Sequence, residues 1–164
     1  ARIQGPLVGT LGEPPADLRF FFEMLVRLAP DITTVRALCR ACEVRPSTLM
    51  SRFSRAGLPS PKSYLASVRL LHAAHLLEAP GRSIADVAYR LEYSSPQSFG
   101  RHVRAMLGIT SLEFRRRFPF PAALARFLEL MIVPYRGVWP VFHPLETGSW
   151  DSGHCLAVQA PPPH

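Results

Sequence analysis

The sequence predicts an all-α fold in which two helix-joint-helix units are bridged by a long connector helix and followed by a C-terminal extension. Apolar residues recur at i, i+3, i+4 and i+7 through most of residues 15–118, the spacing of a single buried stripe on a helix. Serine, threonine and proline stand where those stripes begin, as N-caps and first-turn residues. One pattern then occurs twice, which is much harder to obtain by chance than a single copy.

Residues 1–14 carry Gly5, Pro6, Gly9, Gly12 and Pro14 with no period, and are expected to be a linker or the remnant of an upstream domain. The chain opens on Ala1 rather than Met and lacks the layout of a signal peptide, so it is expected to be a fragment that has lost an upstream part. Leu18, Phe21, Phe22, Leu25 and Leu28 predict a helix that stops before Pro30. Thr33 or Thr34 caps the next, with Val35, Leu38, Cys39 and Cys42 facing inward. The joint Glu43-Val44-Arg45 follows, and Pro46 opens a helix burying Leu49, Phe53 and Ala56.

Ser60 and Pro61 start the connector, which is closed by Pro80-Gly81. At 1.5 Å per residue, a helix of about 19 residues spans about 28 Å, close to the roughly 34 Å between successive major-groove faces. Ser83 caps a helix with Ile84, Val87, Ala88 and Leu91 on its buried stripe and Asp86 placed to complete the cap. After Glu92-Tyr93-Ser94-Ser95, Pro96 opens a helix that buries Phe99, Val103, Met106 and Leu107 and turns Gln97, Ser98, Arg101 and Arg104 outward. Thr110 caps a short basic helix ending at Phe118. In residues 119–164, Ala122 to Val133 predicts an amphipathic helix; beyond it the period is lost, and packing back through Trp139 and Phe142 or partial disorder both stay open.

The repeat is specific. Leu38-Cys39 matches Val87-Ala88 and Glu43-Val44 matches Glu92-Tyr93 at an offset of 49, while Leu49 and Phe53 match Phe99 and Val103 at an offset of 50. Each copy ends in a helix with hydrogen-bonding and cationic side chains on its outer face, a shape suited to a DNA major groove.

Charge agrees with that reading. Residues 36–118 hold 14 Lys/Arg against 5 Asp/Glu, whereas the whole chain sums to only +7, so the cation excess belongs to the middle and favours a polyanionic partner. Eight of the 17 prolines come after Arg117, which marks the tail as different in kind. No run of 18 apolar residues exists, so no membrane span is expected. Three cysteines do not make a disulfide framework, and a reducing cytoplasm is the expected location. Cys39-x-x-Cys42 with His72-x-x-His75 has zinc-like spacing, yet both cysteines lie on a buried stripe and read as small hydrophobes. No Gly-rich phosphate loop, paired-carboxylate cleft or nucleophile elbow is present, so neither enzyme chemistry nor a metal or other cofactor is expected.

Residues 35–118 resemble the DNA-binding domain of the AraC/XylS family of bacterial transcription regulators. The resemblance is carried by Leu38, Val44, Pro46, Leu49 and Phe53; by Ser60-Pro61-Lys62, Tyr64-Leu65, Arg69 and Leu76-Leu77; and by Ile84-Ala85-Asp86-Val87-Ala88-Tyr89-Arg90. Tyr93-Ser94-Ser95-Pro96, Phe99, Arg101, Gly108, Thr110 and Phe114-Arg115 are similar to the family's signature segment. It implies about seven helices, a double helix-turn-helix domain over 15–118 and recognition helices near 46–56 and 96–107. Both joints depart from the family, which usually has Gly where Glu43 and Glu92 stand; Glu there implies either a left-handed residue costing about 1 kcal/mol or a different joint. An Arg is common in the family where Ser51 stands, so the base-reading case is weaker for the first unit.

The expected function is a sequence-specific transcription regulator that inserts both recognition helices into adjacent major-groove segments of double-stranded DNA. Ser47, Thr48, Ser51, Arg52, Gln97, Ser98 and Arg101 are the base-reading candidates, with Arg101 suited to guanine O6/N7 and Gln97 to adenine N6/N7. Arg45, Arg55, Ser94, Ser95, Arg104, Arg115 and Arg116 are the phosphate candidates. RNA polymerase is an allowed further partner, and a small-molecule effector is expected only with an upstream domain. The competing readings are a protein–protein module, docking through Phe20 to Phe22 and the Trp139 region, and a non-specific architectural DNA binder.

Overall fold

The computed structural model describes residues 2–146, all of whose regular elements are helical. In chain order these are α1 (Gln4–Leu11), α2 (Ala16–Leu28), α3 (Val35–Ala41), α4 (Pro46–Arg55), α5 (Pro61–Leu77), α6 (Ile84–Arg90), α7 (Pro96–Leu107), α8 (Ser111–Arg117) and α9 (Phe120–Phe127). A π-helical turn, Leu128–Ile132, and two 3-10 turns, Val133–Tyr135 and Trp139–Val141, complete the described chain.

The start signals work as the sequence predicts. Thr34, Ser60, Ser83, Ser95 and Thr110 each accept a backbone N–H three residues on, and Ser83 with Asp86 forms a full capping box. Pro46, Pro61 and Pro96 occupy first-turn positions, where the missing N–H costs nothing.

Two apolar centres share α5. Around its N-terminal half, Phe21, Phe22, Phe53, Tyr64, Trp139 and Phe142 meet edge to face, with ring centroids 5.0 Å apart for Phe53–Phe142 and 5.7 Å for Phe22–Trp139. The second centre joins Val87, Leu91, Phe99, Val103 and Phe114, all buried.

Between them lies Arg69, 4% exposed at the middle of α5. Its Nη1 donates to the carbonyls of Ala29 (2.6 Å) and Ile32 (2.5 Å), its Nη2 donates to Leu91 O, and its guanidinium lies 4.7 Å from the Tyr93 ring centroid. A buried cation is tolerable only when its donors are satisfied, and these acceptors come from both units. Arg69 therefore ties the loop after α2 to the joint after α6.

One expectation needs correction. Residues 1–14 are not all linker: α1 buries Leu7 and Leu11, with Ile3 ahead of them, and packs on α2 and the π-helical turn. Pro6 falls in the first turn, where it removes no helical bond, and tertiary burial outweighs the low helix propensity of Gly5 and Gly9. Arg2 anchors the segment by a 2.7 Å ion pair to Glu78 and by lying 4.0 Å from the Phe120 ring centroid. Residues 15–118 hold seven α-helices, α2 to α8, as the sequence predicts; α9 falls in the extension, where one helix is expected, and α1 is the added one. Of the two outcomes left open for the extension, packing back is the one found within the described residues: Trp139 is fully buried, its Nε1–H donates 2.8 Å to Ile132 O, and Phe142 packs on Phe53. Residues 147–164, including the proline-rich end, lie outside the described residues.

Candidate nucleic-acid interface

The two units are built alike down to their joints. In each, the residue two past the helix cap donates back across the joint: Val44 N–H to Cys39 O (3.1 Å) and Tyr93 N–H to Ala88 O (3.0 Å). This is the Schellman closure, which needs a left-handed residue just before the donor. Glu43 and Glu92 supply it, at φ 54° and 63°. Of the two outcomes left by the sequence, the left-handed glutamate is the one found, at a cost of about 1 kcal/mol each. Both carboxylates are exposed just ahead of α4 and α7.

On α7, Gln97, Arg101 and Arg104 are exposed and line one shallow concavity with Pro96, Gly100 and Thr110. Gly100 lets α8 come close: a Cβ there would meet Ser111 Oγ at 3.2 Å. The opposite stripe, Phe99 and Val103, is fully buried. Met106, expected inside, is 37% exposed at the end of the helix. On α4, Ser47, Thr48, Ser51, Arg52 and Arg55 line a second concavity, over buried Leu49 and Phe53. The structure thus brings the four α4 candidates together with Arg55, and Gln97 and Arg101 together with Arg104, while Ser98 lines neither concavity.

A model of the family described as helix-turn-helix domain matches residues 38–117. The lactose operon transcription activator of Staphylococcus xylosus is 28% identical over 85 residues, covering 52% of this chain and 30% of that protein. The chain therefore spans less than a third of that relative's length. No solved structure matches the chain.

Residues 38–117 are an AraC-type helix-turn-helix domain.

Within the AraC-type domain the candidates differ in freedom. Arg45, Arg55, Arg101, Arg104 and Arg116 are exposed, and none is in an ion pair among the described residues. Ser94 is exposed too. Ser95 is committed to capping α7, accepting from Ser98 N–H at 3.1 Å, and Ser98 is half-buried beside it. Arg115 turns toward the connector and donates to Ala79 O (3.2 Å). Arg52 is half-buried and donates 2.9 Å to Pro144 O, so the extension holds one of the four base-reading candidates of α4. Asp17, 2% exposed, fixes that same strap by accepting Leu145 N–H (3.2 Å) and pairing with His143 Nδ1 (2.9 Å).

His102 sits half-buried on the side of α7, hydrogen-bonded to the Tyr93 hydroxyl at 2.5 Å. Burial, and then the nearby Arg69 charge, hold its pKa below the ordinary histidine value. The zinc-like spacing resolves into separate contacts. Cys39 and Cys42 are buried, with burial pushing the Cys42 thiol up to about 12; His72 Nε2 meets Val26 O and His75 Nδ1 meets Arg2. The roles of Arg69, Asp17 and Pro144 are what sequence reasoning missed. Arg69 was visible only as one matching position of a family, and the other two contacts join residues far apart in the chain. No single helix among the described residues is long and apolar enough to cross a membrane.

Proposed function

We propose that this chain is a sequence-specific, DNA-binding transcription regulator of the AraC type, acting without chemistry of its own. Its two reading helices, α4 and α7, enter neighbouring segments of one major groove. The observation that carries the reading is the duplicated unit, with Gln97, Arg101 and Arg104 free on the outer face of the second copy. Arg101 pairs with guanine O6/N7 and Gln97 with adenine N6/N7, each worth about 1–3 kcal/mol of discrimination. Arg45, Arg55, Ser94, Arg104 and Arg116 hold phosphates.

The two helices do not read equally. With Arg52 bonded to Pro144 O and the Ser51 position lacking an Arg, α4 supplies mainly Ser47, Thr48 and backbone contacts, and α7 sets most of the sequence preference. The 17-residue connector is about 25 Å long; α4 packs on it directly and α7 is held through α6 and α8, which extends its reach toward a repeat of about 34 Å. Activation is the regulatory sense taken from the named relative's description; contact with RNA polymerase and a place in a bacterial cytoplasm belong to the proposal itself. An effector sensed through an upstream domain is proposed only where such a domain exists.

Selection from a random DNA pool, followed by binding over a salt series, tests the reading. A single enriched asymmetric site and a steep fall of affinity with salt are expected. Equal affinity for selected and random DNA would support an architectural binder, and absence of a salt slope a protein–protein module.

A further inference from the structure

A half-enclosed cavity of about 240 Å³ opens where the extension meets the second unit. Leu70 and Leu71 of α5 line it, with Phe114 of α8 and Phe118 just past that helix on one side and Phe127 and Met131 of the extension on the other. Met106, at the end of α7, stands partly exposed at the rim together with Leu130. The volume exceeds the roughly 150 Å³ of an engineered apolar cavity that admits benzene. The only charged side chain lining it is Arg126, whose guanidinium lies 5.8 Å from the Phe118 ring centroid and which has no ion-pair partner among the described residues.

We propose that this cavity is a binding site for a compact arylalkyl carboxylate. Three phenylalanines and two methionines offer ring edges, ring faces and polarisable sulfur, which favour an aromatic body over a plain alkyl chain. The carboxylate pairs with Arg126 at the mouth, where a cation already lies over an aromatic face and no acidic residue lines the opening. Met106 and Leu107 are the last residues of α7, so an occupant braces the end of that helix against the extension. Any effect on DNA affinity rests on the groove-reading proposal; occupancy itself does not.

The protein's four methionines allow a direct test, because Met106 and Met131 line the cavity while Met24 and Met50 lie elsewhere. Protein labelled with ¹³C at the methionine methyls is titrated, without DNA, with 4-phenylbutyrate and separately with 4-phenylbutanol. Saturable shifts confined to Met106 and Met131 are expected, with the carboxylate binding about 5-fold more tightly, the scale of a partly exposed ion pair. Arg126→Gln should keep the methyl dispersion of a folded protein and erase that preference. Shifts spread evenly over all four methyls, or no saturable shift, would overturn the site. Equal affinity for acid and alcohol would overturn the assignment of a carboxylate. Because binding is read on the free protein, either failure is distinct from failure to select a DNA site.

Discussion

Replacing Arg69 by methionine keeps most of the side-chain volume and removes the guanidinium. The carbonyls of Ala29, Ile32 and Leu91 then lose their donor, and those of Ala29 and Leu91 belong to fully buried residues. An unsatisfied buried polar group costs about 1–3 kcal/mol, so the two deepest alone set the scale at about 3–5 kcal/mol once partial relaxation is allowed. Against a typical total of about 5–15 kcal/mol, that is a large share of the fold's stability. Arg69→Lys should fall between, because a single ammonium nitrogen cannot reproduce the spread of donors by which the guanidinium meets all three carbonyls. Urea unfolding followed by far-ultraviolet circular dichroism and by tryptophan fluorescence measures the loss. Since the acceptors lie in different units, the two probes should also cease to coincide in the methionine variant. A loss under about 1 kcal/mol with coincident transitions would refute the view that Arg69 ties the units together.

Arg101→Ala should weaken a selected site by about 1–3 kcal/mol more than random DNA, measured by fluorescence anisotropy; an equal loss on both would restrict Arg101 to phosphate. Glu92→Gly removes a left-handed non-glycine residue and an acidic group ahead of α7, so it should stabilise the fold by about 0.5–1 kcal/mol and tighten DNA binding. Unchanged thermal unfolding would argue that Glu92 compensates its own strain. Burial holds the pKa values of His72 and His102 below the ordinary value, so their neutral forms contribute stability that is present above about pH 6.5 and lost as pH falls through the lowered values. The urea midpoint should thus drop on acidification below that point, less steeply in His102→Gln; parallel slopes would clear His102. Trp139→Ala should cost about 3–5 kcal/mol, a size expected of a core ring and not of a tail.

Most of the helical framework was legible because its signals are local. Ser83 with Asp86, Pro46, Pro96 and the paired stripes Leu49–Phe53 and Phe99–Val103 each act within a few residues, and the repeat checks one copy against the other. The first helix was not, since Gly5, Pro6 and Gly9 mask a burial pattern of Ile3, Leu7 and Leu11 that only packing makes decisive. Positions of the outward candidates followed from helical period, but their availability did not. Arg52 is held by Pro144, 92 residues away, and no local pattern encodes such a contact. The left-handed glutamates show the reverse case: a departure from the usual glycine pointed to strain that the backbone does hold.

Phe53, in the last turn of α4, finds one of its ring neighbours in Phe142, and Tyr64 rests against Trp139. The first unit therefore leaves the ribosome with an open flank. It gains its closing aromatic wall only after the second unit, made later, has already emerged complete. Folding during synthesis should then run against chain order, the C-terminal unit settling ahead of the N-terminal one, and a gene truncated soon after the matched region would release a protein with bare aromatic surface and a tendency to aggregate.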